Sequence, residues 1–512
     1  MSERTPLPLP FPLGGLDRSL AYQTQPPYST SDALNVVPQD SYLQRARGGI
    51  RPGLTKYNVE GWFAKHRFMT IFTDYDGTRR LIGATQSGIA YAPTTSGASP
   101  NTAGLLGETG RVQAVQYGNK VYFVGATNMI MPGYAQYSAG NVAGVATMVV
   151  TDFPSVDFPT GYPYCIAIKY NRMWLSFSGD ASGVTGLPSR YWASKVGDEL
   201  NYEDDGLNNL SAITAELNTT RDRITAMIPW FANYMVFATG NATYVLNGDP
   251  LKGGVMREVS NRLGIVDCMS WCLSLDNSIV AMSNAGPMLL TPENPLGEPK
   301  LIMEDKLPGV LSSPDVTLYD YVLGYDSRSK RVHIQPAALT ETDDIDHWVL
   351  DLKTKSFWRY RFAETGHEPT AMLNLREITS TRTDLLLCCR DGFLRTWDET
   401  VATDDETNIE NYVFLGPFRL DAEHDCRVVE LSGTLAAQSG GCVVSIHPGN
   451  SAEAALAADA IWSNKWTAGL NDGDRPRTRH GTFYVKLTGE PAERWALEEA
   501  IASISMGGKL RT

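Results

Sequence analysis

Apolar residues in this chain fall in short runs of four to seven, broken by Gly, Asn, Asp and Ser, and the three-and-four spacing of an amphipathic helix is nearly absent. The pattern predicts a mainly β protein. Polar turns lie between paired apolar runs at residues 72–78, 115–120, 168–172, 230–234, 275–278 and 324–328, and more loosely at 380–384. Each reads as a hairpin, because Asn, Asp and Gly accept the positive φ that tight hairpins require. A small-residue turn and a third apolar strand follow at 87–91, 241–246, 284–289 and 391–394, which makes the unit an antiparallel meander. First strands starting near Met69, Val112, Ile166, Ile224, Cys268, Tyr321 and Met372 recur about every 50 residues, in the range of propeller blades. Four-stranded blades set radially bury both faces of each sheet and leave short edges. The expected fold is therefore a β-propeller of six or seven blades over residues 56–405, in preference to an array of β-sandwiches. Insertions at 178–209 and 337–345 lengthen the third and sixth units.

The flanks break this rhythm. In residues 1–55 the alternation Pro6, Pro8, Pro10, Pro12 favours an extended arm, since each proline fixes φ and removes an amide donor. Such an arm is expected to lie across a partner rather than to pack into its own core. Residues 406–512 read as a C-terminal β-rich platform domain whose last strand is at 500–505. Helices are expected at the Ala-rich stretch 451–462 and at 491–501.

Charge narrows the choice of partners. Among 512 residues, 44 basic against 57 acidic side chains leave a net charge of −13, so the whole-molecule field does not attract nucleic acid or anionic lipid. No run approaches the roughly 20 apolar residues of a membrane-spanning helix, and the first residues lack the layout of a secretory signal. The chain is expected to be soluble and not exported by that route. Its seven cysteines sit mostly in apolar runs, as core thiols of a reducing compartment would.

Catalytic patterns are few. Asp74-Tyr75-Asp76-Gly77-Thr78 after an apolar strand resembles the nucleophile motif of haloacid-dehalogenase phosphatases, but a second strand follows at once, and Asp-Gly between apolar runs favours a hairpin. Residues 178–185 resemble the S-x-D-x-G-x-T turn of sialidase-like propellers with one residue too many. The carboxylate clusters Asp198, Glu199, Glu203, Asp204, Asp205, then Asp343, Asp344, Asp346, and Asp404, Asp405, Glu406 read as solvated loops. Seven scattered histidines and the Cys268/Cys272 and Cys388/Cys389 pairs lack zinc spacing, so surface histidines and core thiols are expected, with no metal and no cofactor. Asn471-Asp472-Gly473-Asp474 reads as a turn rather than a calcium loop. Arginines gather at Arg45, Arg47 and Arg51 and at Arg475, Arg477 and Arg479, without the interleaved aromatics of base stacking; an exposed loop or subunit contact is the expected reading of the second group.

The N-terminal segment carries the most specific signal. Gly14-Gly15, then Ala33-Leu34-Asn35, then Arg45-Ala46-Arg47-Gly48-Gly49-Ile50-Arg51-Pro52-Gly53 resembles the opening of the tubular tail (nozzle or hub) proteins of short-tailed bacteriophages. More loosely, Ser194 to Asp198 is similar to a turn within one blade of that family, and the end at Gly507-Gly508-Lys509 to its closing strand. The resemblance implies a non-enzymatic structural protein of the virion tail, assembled in the host cytoplasm. It implies a homo-oligomer, a hexameric ring below the connector or tail adaptor protein, with a tail fibre or spike as a further partner and double-stranded DNA passing without sequence-specific binding. Gly14, Gly15, Arg47, Gly48, Gly49, Arg51, Pro52 and Gly53 are then assembly or turn residues, with a turn feeding the first blade and a subunit contact both open. An acidic wall repels phosphate, which makes Asp198, Glu199, Asp204, Asp205, Asp343, Asp344 and Asp346 candidates to line the channel. The competing functions are a virion-borne carbohydrate-active propeller enzyme (a depolymerase) and a monomeric propeller that binds a partner protein.

Overall fold

The computed structural model describes residues 4–509 except 63–64, 75–76, 86–88, 105–111, 119, 126–133, 139–146, 152–162, 178–187, 205–209, 218–221, 341–344, 377–382 and 420–423. Within it the repeated meander becomes seven blades in chain order, six of them separate antiparallel four-stranded sheets and the seventh part of a six-stranded sheet. Blade 1 opens with strands His66–Thr73 and Arg79–Thr85, blade 2 with Val112–Tyr117, blade 3 with Pro163–Lys169 and blade 4 with Ile224–Pro229. Blade 5 opens with Trp271–Leu273, blade 6 with Tyr319–Asp326 and blade 7 with Pro369–Arg376. These are the first strands expected from the sequence, and the turns that follow them behave as hairpins. Lys169 pairs with Arg172 across Tyr170 and Asn171, both at positive φ, and Asp326 pairs with Arg331 across a turn that includes Lys330 at φ +59°. The phosphatase-like stretch is such a hairpin: Thr73 pairs with Arg79 in antiparallel register.

Blade 7 completes the ring. Its fourth strand is Gly53–Lys56, which comes from before blade 1 and pairs with Leu394–Asp398, so the two ends of the propeller sequence share one sheet. The innermost strand of blade 7 packs against that of blade 1. Closure by a shared blade removes the free sheet edges that a linear array would expose.

The arm runs extended but is not free to lie on a partner. Arg4–Pro8 pairs with Leu497–Lys509, and Ala33–Leu34 pairs with Tyr412–Phe418, so the arm supplies a strand to each sheet of the C-terminal unit. Leu9, Phe11 and Leu16 are buried in the shared core. The prolines explain the first pairing: they limit Arg4–Pro8 to an outermost position, where missing amide donors cost no ladder bond.

The C-terminal unit is a sandwich of two five-stranded sheets. One helix, Ala452–Ala457, capped by the Ser451 hydroxyl, replaces the longer helix expected over 451–462; the chain then turns into the edge strand Trp462–Trp466. The helix expected at 491–501 is absent. Leu497–Lys509 is a central strand instead, because Leu497, Ala500, Ala502 and Ile504 are drawn into the sandwich core between two hydrogen-bonded neighbours. Asn471 to Asp474 likewise belongs to a strand, Gly469–Asp474.

Candidate functional site: the seam at the ring closure

The N-terminal motif folds into the place where arm, propeller and sandwich meet. Asn35 takes a left-handed conformation, φ +53°, which Asn tolerates better than most residues. Its side-chain oxygen accepts from Arg51 Nε at 2.9 Å and from the Arg361 amide at 2.8 Å, while its amide nitrogen donates to the Glu410 carbonyl. Arg51 then reaches Asp404 with both guanidinium nitrogens, at 2.9 and 2.6 Å, and neither side chain is exposed to solvent. Tyr360, Phe362 and Trp397 surround the guanidinium with ring centroids 5.5 to 5.7 Å away. Bidentate geometry and an aromatic box suit arginine and not lysine. Asp404, expected in a solvated acidic loop, is thus a fully buried ion-pair partner.

The remaining motif residues also meet their own chain. Arg47 donates to Asp40 at 2.9 Å and pairs with Glu498 of the sandwich. Burial alone would raise the Asp40 carboxyl; amides of the turn and Arg47 outweigh it and hold it below the ordinary carboxylate range. Gly48, at φ +71°, lies flat on the Phe11 ring, which stacks on Trp358 of blade 6. A side chain at Gly15, φ +77°, would come within 2.6 Å of the Phe357 carbonyl, and Gly14 hydrogen-bonds Tyr28. Gly49 is closed off by the Trp495 backbone and Gly53 by that of Thr403, with Pro52 between Arg51 and that strand. Turn and close-approach roles within one chain account for every glycine of the motif.

Behind Arg51 the facing surface of blade 6 is polar. Along Arg331–Ala338, alternation places Val332 and Ile334 toward blade 5 and Arg331, His333 and Gln335 toward blade 7. Arg331 pairs with Asp351 at 3.1 Å and donates to Gln39 of the arm. Gln335 Oε1 lies 2.7 Å from His347 Nδ1, and His347 Nε2 lies 2.9 Å from His333 Nδ1. With Gln335 accepting, His347 carries its proton on Nδ1 and accepts from His333, which leaves His333 Nε2 a bare acceptor. Burial pushes His333 down to about 4 and His347 well below its ordinary value, while the Tyr360 hydroxyl is pushed up to about 12. These two histidines, expected on the surface, are neutral core groups, and His66 is buried as well. His333 Nε2, Tyr360 Oη and Trp397 Nε1 make no hydrogen bond and line a pocket of about 20 Å³, space for a water and little more. All seven cysteines are buried thiols, and among the described residues no group of three or more His, Cys, Asp or Glu is placed to hold a metal.

The acidic channel candidates are not brought together. Asp198, Glu199 and Asp204 lie between the third and fourth strands of blade 3, Asp346 between the second and third strands of blade 6. In an antiparallel meander those connections emerge at opposite faces of the propeller. Glu199 accepts from Tyr122 at 2.7 Å and pairs with Lys120, and Asp346 pairs with Arg359 and Arg361, so both are engaged within the chain. Asp204 accepts from Ser211. Asp205, Asp343, Asp344 and the sialidase-like turn at 178–185 lie outside the described residues. The sequence reading missed Asn35, Tyr360, Trp397 and Asp404 as a set. The nearest signal was the joint appearance of Asn35 and Arg51 in the N-terminal motif.

No protein-family model and no curated protein matches the chain. Among solved structures it is similar to virginiamycin B lyase from Staphylococcus aureus bound to quinupristin, with 11% identity over 67% of this chain and 98% of that chain, at a TM-score of 0.43. A chain of the mitotic checkpoint complex (7% identity, 70% and 94% covered, TM-score 0.42) and a candidate 6-phosphogluconolactonase from Bacteroides uniformis (12%, 67% and 91%, TM-score 0.39) are similar at the same level. Such likenesses bear on no activity; the sheets themselves identify the chain as a β-propeller protein with a C-terminal β-sandwich.

Proposed function

We propose that the chain is a structural component of the tail of a short-tailed virion, a nozzle subunit that stands in a ring of about six copies below the connector or adaptor and guides double-stranded DNA during ejection. The observation that carries the reading is the seam: the motif that resembles the tubular tail proteins is the segment that joins arm, propeller and sandwich through Asn35, Arg51 and Asp404. A subunit that bears load during genome passage needs its parts fixed to one another, and a buried bidentate pair with strands shared between units supplies that. The charge of −13 agrees with a conduit that repels phosphate.

An electron-microscopy map of the whole particle tests the reading. It is expected to show copies of this chain in a ring around the tail axis. Finding the chain outside the tail, or polysaccharide cleavage by the purified protein, would overturn it. Asp198 and Asp204 test the wall: their replacement by Lys is expected to slow DNA release, more at low salt. Unchanged release would remove them from the channel.

A further inference from the structure

The outer face of one sandwich sheet carries a row of arginines that the fold does not need. Arg4 pairs in register with Ser505, Ser505 with Arg427, and Arg427 with Arg479, so the three arginines stand on one face across four adjacent strands. Arg475 and Arg477, in the connection before the last of these strands, line a cleft together with Arg4 and Arg427. Arg427, Arg475 and Arg477 are exposed and make no ion pair among the described residues. Like charges directly opposite on neighbouring strands destabilise a sheet, so the Arg427–Arg479 pairing weakens the isolated subunit.

We infer that this row is one half of a contact between copies of the chain, and that it docks on an acidic surface of the next copy. The inference rests on the ring reading, because a ring needs a head-to-tail contact between two different patches. Charge complementarity selects the occupant. A chain at −13 that gathers arginines on one sheet is more acidic elsewhere, and exposed carboxylates without ion pairs among the described residues include Glu293 and Glu298 of blade 5 and Glu304 and Asp305 in the connection from blade 5 to blade 6. The row is interleaved with acids, Asp425 on Arg479 at 2.7 Å and Glu430 on Arg4 at 3.7 Å. That spacing suits matched pairing with side chains of a protein and repels a continuous polyphosphate.

The test is sedimentation velocity of the full chain as wild type and as the Arg427→Glu variant, which keeps the Arg479–Asp425 pair, each at low and high salt. The wild type is expected to self-associate, less at high salt, and the variant to associate about tenfold or more weakly while melting no lower than the wild type, since a glutamate at 427 stands opposite Arg479 as an unlike charge. A wild type that stays monomeric, or a variant that associates equally well, overturns the inference. So does binding of a fluorescent DNA duplex that the variant loses, which would make the row a nucleic-acid contact. A variant that associates normally while particle maps still show the ring defeats this inference alone; absence of the chain from the tail ring defeats the functional reading.

Discussion

Blades 4 and 5 meet through Ala226, Ile228, Val236, Ala238, Ile279, Ala281 and Met288, all fully buried and all apolar, whereas blades 6 and 7 meet through Arg51, Arg331, His333, His347, Tyr360, Phe362 and Trp397. The two interfaces do the same mechanical work by different physics. Apolar burial contributes about 25 cal/mol per Å² and has no direction, so any blade of suitable shape satisfies it. The polar seam gains little net energy, because desolvation offsets the charge attraction, but it is satisfied by one arrangement only. It stands where the ring closes and where the arm must arrive in register. Contacts made from distant parts of the chain have most to gain from such selectivity.

The largest test of that contrast is to break the seam. Arg51→Leu leaves the Asp404 carboxylate buried without its partner and is expected to cost about 3–5 kcal/mol in chemical denaturation. Replacing both, Arg51→Met with Asp404→Leu, is expected to recover most of the loss. If the single substitution cost no more than an ordinary surface change, the seam would be no different from the blade 4–5 interface.

Blade boundaries were legible because each blade announces itself locally: an apolar run, a turn such as Tyr170-Asn171, and a second run within about 15 residues. The closure was not, because Gly53–Lys56 is a strand by virtue of its partner Leu394–Asp398, more than 300 residues away. The same holds for the seam. Asp404 sits between Asp405 and other polar residues and reads as solvated, while His333 and His347, 14 residues apart, become neighbours only through strand register. Local composition reports exposure on average, and a buried ion pair is the case where that average misleads. At 491–501, helix propensity lost to the tertiary demand for a central strand at Leu497–Lys509.

Acid should separate the interfaces next. His333 and His347 have folded values below their ordinary one, so below about pH 6.5 the unfolded chain binds protons that the folded chain refuses, and stability falls as pH falls. The loss is expected to approach about 1.4 kcal/mol per pH unit for each histidine between about pH 6.5 and the lowered folded value, and to vanish above about pH 6.5. His66, also pushed down to about 4, contributes a slope of its own at the blade 1–7 side. Denaturation at a series of pH values in wild type and in His333→Gln measures the seam's share. A wild-type slope unchanged by that substitution would show that the seam accepts the proton without cost, against the comparison.

The smallest effect is expected on the apolar side. Ile228 lies fully buried between blades 4 and 5, and Ile228→Val removes one methylene from a packed but undirected contact. The expected cost is about 0.5–1.5 kcal/mol, with no change in pH dependence. Asp404→Asn alters size even less, yet removes the charge that Arg51 grips with two nitrogens, and its cost should exceed that of Ile228→Val several-fold. The ratio of the two is the quantity to measure by chemical denaturation under one set of conditions. A ratio near one would mean that volume alone governs both interfaces, and that the arginine, the asparagine and the aspartate at the closure do no more than fill space.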